Sequence, residues 1–245
     1  MNRPKILFKP IKTKRTFEEI STKIKELIFK GVLKPGDRLP SEIELARQFN
    51  VGRQSIREAL RVLELSGFIT IQRGGNGGLI ISDTISNAIS KSFLDVFQMK
   101  GITLGELTVA RLEIEKIVLN LAINNADDSD IKRLQENMRK ARRKVESKTQ
   151  AFSENVEFHR LLAKASKNHL FVIVVQSIMA VVADFLSRLE PDLKTSKEVV
   201  EDHENILNAI IGRKTDEAVS LLENHLVKIE GSLQVSYDKL TQEQS

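Results

Sequence analysis

The sequence predicts a mainly α protein in two parts: a small helix–turn–helix unit with a β-hairpin, then an all-helical bundle. Three observations carry this. Between Leu39 and Ile81, two segments of helical period, a tight turn and two short β-branched runs around a glycine cluster follow one another. From residue 86 onward, apolar residues recur at helical spacing almost to the C-terminus, with breaks at Gly101, Asn124-Asn125, Asn168, Pro191 and Gly212. Finally, the charge is divided. Residues 1–82 hold 16 Lys and Arg against 8 Asp and Glu, and the remainder holds 22 against 25, so a polyanion-binding field belongs to the N-terminal third.

Residues 1–15 form a basic, irregular tail with six Lys or Arg and two prolines, Pro4 and Pro10. A helix follows from Thr16 to about Phe29, with Thr16 and Glu19 as a capping box and Ile20, Ile24, Leu27 and Ile28 facing inward. Gly31 ends it, and Lys34 to Asp37 form a turn. The next helix starts after Pro40, with Ser41 as N-cap and Glu44 closing a capping box. It stops near Gln48, where Asn50 and Gly52 supply turn chemistry. A third helix runs from Arg53 to Leu65. Ile56, Ala59, Leu60 and Leu63 make its core face, while Arg53, Arg57 and Arg61 at i, i+4 and i+8 line another side. Gln54 and Ser55 occupy its first turn, where a recognition helix meets base edges and phosphates.

After Gly67 come a strand, Phe68 to Ile71, the residues Gln72, Arg73 and Gly74 with further glycines, and a second strand, Leu79 to Ile81. Helix, tight turn, basic helix and glycine-tipped hairpin make a winged helix-turn-helix over 16–82. Arg73 and Gly74 lie at the tip, where a wing touches a phosphate or enters the minor groove. The candidate DNA contacts are thus Ser41, Arg53, Gln54, Ser55, Arg57, Arg61, Arg73 and Gly74. With no Trp and one Tyr there is no stacking platform for single strands, so duplex DNA is the expected partner.

Residues 83–86 read as a linker, and 87–240 as an all-helical effector-binding and dimerisation domain. Its helices are expected at 86–99, 104–125, 128–148, 151–166, 168–189, 195–211 and 215–240. Gly105 sits inside one of them, and the β-branched run Val172 to Val182 is kept as helix because it is long and flanked by helices. The longest apolar stretch, Leu170 to Val182, is broken by Gln176 and Ser177 and is too short to cross a membrane. No apolar segment follows the basic N-terminus, so no secretory signal is expected, and zero cysteines fit a cytoplasmic setting.

All four histidines lie in this second part. His159 shares a face with Val156, Leu162 and Ala163, with Asn155 one turn back. His203 shares a face with Ile206, Leu207 and Ile210, and His225 with Leu221, Leu222 and Ile229. A single imidazole on an apolar face reads as a buried core residue. Three from three helices read as one polar site, and converging neutral imidazoles suit Zn²⁺ or Ni²⁺. His169, beside the break at Asn168, is expected at the surface.

The segment Leu39 to Gly78 resembles the GntR family of bacterial transcription regulators, through Leu39, Pro40, Ser41, Glu42, Leu45, Ala46, Val51, Arg53, Arg57, Ala59, Leu60, Leu63, Gly67, Gly75 and Gly77. Many members carry an arginine where this chain has Ile43. In the fatty-acid-responsive branch that arginine contacts DNA, so one expected contact is missing here. The second part resembles the FCD ligand-binding domain of one GntR branch. Its metal-binding members carry an Asp-x-x-x-His pair and two further histidines; here Asn155 with His159, then His203 and His225, occupy those places. Arg111, in the stretch Thr108 to Glu115, matches an R-x-x-x-E near the ligand pocket. The resemblance implies a homodimeric regulator, a metal held by Asn155, His159, His203 and His225, and a small organic acid effector contacting Arg111. Asn155 brings no negative charge where the family has Asp, which weakens the expected metal binding. Arg111 also has a simpler use, an ion pair to Glu115 at i+4. Two other functions are carried as alternatives: a constitutive DNA binder with a ligand-free bundle, and a metal-dependent hydrolase. The second lacks a general base, because Glu154 and Glu157 do not share His159's face.

Overall fold

The computed structural model describes residues 16–72, 78–82, 85–189 and 191–243. These fall in two compact units, Met1–Ala88 and Ile89–Ser245.

The first unit contains α1 (Thr16–Phe29), α2 (Glu42–Phe49), α3 (Arg53–Leu65), β1 (Ile69–Gln72) and β2 (Gly78–Ile81). Its core joins Ile20 and Ile24 of α1, Leu45 and Ala46 of α2, and Ile56, Ala59, Leu60 and Leu63 of α3, closed by Phe68, Ile69 and Ile81. The spacing of the apolar residues sets which face each helix buries. One expectation fails: Leu27 is 39% exposed. The buried place beside Ile24 goes to Ser21, whose hydroxyl donates to the Glu18 carbonyl at 3.0 Å and so enters the core with its proton used.

α2 begins as expected at Ser41, whose Oγ accepts from the Glu44 amide at 3.2 Å. The return bond of a capping box is replaced, because the Glu44 carboxylate accepts from Arg47 at 2.9 Å and from Gln48. Asn50 ends the helix in the left-handed region (φ 52°), where its short polar side chain tolerates what β-branched residues do not. That residue makes the turn tight enough to lay α3 across α2. β1 and β2 pair antiparallel, with Ile69 opposite Ile81 and Gln72 opposite Gly78. Arg38 bridges Ile80, and Leu39 N–H donates to the Leu79 carbonyl at 2.9 Å. The segment that leads into α2 is therefore bonded to the hairpin.

The second unit is built from α4 (Ile85–Lys100), α5 (Leu104–Asn125), α6 (Asp128–Glu146), α7 (Phe152–Ala165), α8 (His169–Leu189), α9 (Leu193–Ile211) and α10 (Thr215–Glu243), with the first turn of α4 falling in the first unit. Capping boxes at Thr103/Glu106 and Asp127/Asp130 start α5 and α6. Gly105, in the first turn of α5, leaves room for α10: a Cβ there would stand 3.2 Å from Glu230 Oε1. The core cluster centres on Leu119, Leu134, Phe158, Leu162, Met179 and Ile206. α8 is a correction to the membrane reading, since at 21 residues it is long and apolar enough to span a bilayer by length and composition. Gln176 and Ser177 do not interrupt it: Ser177 donates to the Ile173 carbonyl, and Val175, Met179 and Val181 lie in the bundle core.

Candidate functional site

His159 on α7, His203 on α9 and His225 on α10 are each at most 2% exposed. Each sits among the apolar residues of its helix face, so burying those faces carries the imidazoles into the core. There one nitrogen from each ring comes within 4.8 Å of the others, and His203 Nε2 stands 3.1 Å from His225 Nε2. His203 is held by stacking on Phe158, with ring centroids 4.1 Å apart and an interplanar angle of 14°.

Two carboxylates set the tautomers. His159 Nδ1 donates to Glu115 Oε2, and His225 Nδ1 donates to Asp202 Oδ2 at 3.3 Å. In both rings the Nε2 lone pair is therefore the one directed at the cluster. His159 Nε2 is fully buried and has no hydrogen-bond partner among the described residues. A buried acceptor without a partner is costly, and three ring nitrogens this close, with His203 Nε2–H donating to His225 Nε2 in the absence of an ion, are an arrangement a cation fills once His203 carries its hydrogen on Nδ1. Carboxylates on the far ring nitrogens are the usual outer support of such a site. Burial, with the neighbouring histidines and Arg111, pushes His203 well below the ordinary imidazole range, and burial pushes His225 down to about 4 against the pull of Asp202. Both are neutral at physiological pH, which is the ligand form.

Glu115 is the residue the sequence undervalued. It is 1% exposed, and Arg111 Nε donates to its Oε1 at 3.0 Å while His159 uses its Oε2. Burial pushes its carboxyl up, but His159 and Arg111 outweigh burial and hold it at about 2. Arg111 thus makes the i+4 ion pair, and it does so buried beside the histidines, where its charge also disfavours protonation of His203 and His225. The pairing uses Nε, and among the described residues neither terminal nitrogen of the guanidinium makes a hydrogen bond. Asp202 was missed as well. Lys228 ties it to Glu198, with contacts of 3.7 and 3.2 Å, and the Glu198/Asp202 pair at i, i+4 opposite Lys228 was the available signal.

Asn155 is half-buried one turn before His159. It lines a small cavity with Phe152, Leu186, Ser196 and Ile229, and none of the three histidines lines that cavity. Its side chain makes no hydrogen bond among the described residues. Glu154 pairs with Lys144, and Glu157 with Lys164 and Arg160, all away from the histidines. His169 is exposed, as expected.

In the first unit, Arg53, Arg57 and Arg61 are exposed on α3. Arg57 Nε donates to Glu42 Oε2 at 2.8 Å, and Gln54 Nε2 to Glu58 Oε1 at 3.2 Å. Ser55 is half-buried, and Ser41 is exposed at the start of α2. Arg73 and Gly74 lie outside the described residues, as does the tail 1–15.

Comparison with known proteins bears on both units. Residues 16–77 match the model of the bacterial regulatory proteins of the gntR family, and residues 106–228 match that of the FCD domain. The HTH-type transcriptional repressor NanR of Enterobacter sp. (strain 638) is 30% identical over 238 residues, covering 89% of this chain and 85% of that protein. NanR of Klebsiella aerogenes is 29% identical over 231 residues, covering 90% and 86%. Among solved structures, a Streptococcus agalactiae GntR protein superimposes with a TM-score of 0.66 at 23% identity, over 88% of this chain and 100% of that one. The E. coli protein McbR/YncC does so with a TM-score of 0.51 at 18% identity, over 92% and 100%.

Proposed function

This chain belongs to the GntR family of bacterial regulatory proteins, with an FCD domain as its second half, and on that premise we propose that a small carboxylate effector, bound with a divalent cation at the histidine cluster, controls its grip on operator DNA. It is a DNA-binding transcription regulator and not an enzyme. The observation that carries the proposal is the buried, unpartnered Nε2 of His159, facing the neutral imidazoles of His203 and His225. When bound, a Zn²⁺ or Ni²⁺ would supply a Lewis-acid centre for an effector oxygen. His159, His203 and His225 would hold it, with Asn155 as a further oxygen donor.

Arg111 would orient the effector, since its terminal nitrogens can form a charge-assisted bond to an anion while Nε keeps Glu115 in place. Glu115 and Asp202 fix the rings of His159 and His225, so the chain's own carboxylates offset part of the cation's charge from outside the ligand shell. A homodimer would present two copies of α3 to successive major grooves, with Arg53, Arg57, Arg61, Gln54 and Ser55 as contacts and Ser41 at a phosphate. Effector binding would change how the two copies fit their half-sites. The relatives named as repressors make repression the expected sense. By linkage, an effector that weakens DNA binding must itself bind more weakly in the presence of operator.

The test is elemental analysis of the purified protein together with a thermal-shift screen of small organic acids, with and without chelator. A metal-bearing protein with a chelator-sensitive acid hit is expected. Absence of both metal and any acid hit would overturn the proposal and leave a constitutive DNA binder.

A further inference from the structure

The histidine cluster is poor in negative charge for a place that would hold a divalent cation. His159, His203 and His225 are neutral donors, and Asn155 adds an amide and no charge. Two carboxylates stand behind the rings, Glu115 at His159 Nδ1 and Asp202 at His225 Nδ1. Each already has a cation of its own. Arg111 Nε donates to Glu115 Oε1 at 3.0 Å, and both side chains are buried. Lys228 Nζ lies 3.7 Å from Asp202 Oδ2 and 3.2 Å from Glu198 Oε2, at a part of α9 and α10 that solvent reaches.

The buried charges, Arg111 and Glu115, therefore cancel. The outer group sets two carboxylates, Asp202 and Glu198, against one ammonium, Lys228, and its single surplus charge is screened by water. A divalent ion among the rings would keep positive charge unbalanced in the core, where little water reaches to solvate it. A small carboxylate on the ion brings the missing charge, and the terminal nitrogens of Arg111 offer its other oxygen a charge-assisted bond. Resting on the reading of this cluster as a metal-assisted effector site, we propose that cation and acid bind cooperatively: Arg111, by neutralising Glu115, leaves a bare cation weakly held until a carboxylate arrives. The regulator then responds to the coincidence of metal and acid rather than to either alone. By linkage, the acid tightens the ion by the same factor as the ion tightens the acid.

The test measures zinc affinity of the full-length protein by competition with a chromogenic chelator in low-chloride buffer. It is run without acid and with acetate, lactate or malonate, each corrected for its own chelation of zinc. At least one acid should tighten zinc on the wild type about tenfold or more. Arg111→Met frees the charge of Glu115, so without acid it should bind zinc roughly tenfold more tightly than the wild type, and the acids should add little. Combining it with Glu115→Leu should abolish that gain, because the buried charge is again zero. The wild-type comparison needs no variant, so poor folding of Arg111→Met leaves the outcome decidable. Two results would overturn the inference: wild-type zinc affinity indifferent to all three acids, or a folded Arg111→Met that binds zinc no more tightly than the wild type without acid. Zinc refused by every protein under every condition would instead remove the metal-assisted reading on which it stands.

Discussion

Removing Glu115 tests the buried polar chain more directly than removing any histidine. Arg111 and Glu115 are 7% and 1% exposed at the side chain and in contact at 3.0 Å. Glu115→Ala would leave a guanidinium in the core with no counter-charge and His159 Nδ1–H with no acceptor. Breaking a buried pair from one side costs about 3–5 kcal/mol, and the unpaired imidazole N–H adds about 1–3 kcal/mol. In metal-free protein, urea unfolding followed by helical circular dichroism should show a midpoint lowered by roughly 2 M or more, taking a slope of about 2 kcal/mol/M. Arg111→Met combined with Glu115→Leu removes both charges and keeps the volume. It should regain everything except the cost of the unpaired His159, because replacing a buried pair by apolar residues is close to neutral. With Arg111→Met alone and Glu115→Leu alone measured as the two single variants of the same cycle, the coupling energy reads out the pair alone. A loss below about 1 kcal/mol in both single variants, or additive behaviour in the double variant, would refute the buried pair.

His203→Ala should abolish metal retention by elemental analysis while leaving operator selection by the winged unit intact, since the histidine lies in the other compact unit. Asn155→Asp should strengthen metal binding in a chelator competition, by placing a negative oxygen one turn before His159; an unchanged affinity would remove residue 155 from the ligand set. Arg53→Ala and Arg57→Ala should each cost about 1–3 kcal/mol of operator affinity if they touch bases, whereas an even loss across sequences with a smaller salt slope would make them phosphate contacts. Phe158→Ala, at 0% exposure, should cost about 3–5 kcal/mol of stability in chemical denaturation and loosen His203, whose ring lies on it.

Much of this architecture is legible in local signals. The α3 core face of Ile56, Ala59, Leu60 and Leu63 follows from spacing, and all four are buried. The helix breaks at Asn50 and Gly101 are marked by residues that enter the left-handed region readily, whereas after α9 Gly212 keeps helical dihedrals and the left-handed residue is Arg213 (φ 52°). Convergence of the three histidines was readable because each sits on an apolar stripe. Pairings across helices were not. Glu115 to His159 and Asp202 to His225 join residues 44 and 23 positions apart, and one-dimensional periodicity says which face a residue takes but not what it meets. Leu27 and Ser21 differ for a related reason: α1 packs mainly on α3, and that single neighbour sets how the stripe is rotated. The return bond from Glu44 failed to form because Arg47 offered a charged donor one turn on.

The histidine cluster also has a bearing on folding order. The chain between His159 and His203, and again between His203 and His225, must fold back on itself before the three rings can meet, so the cluster is an assembly of distant parts rather than a local loop. Helices α5 to α10 bring their own apolar core, and an ion arriving at the rings would meet a bundle already formed. Such an ion acts as a late cross-link. It leaves the rate of folding nearly unchanged and slows unfolding, so the loaded regulator would persist longer in the cell than its metal-free form.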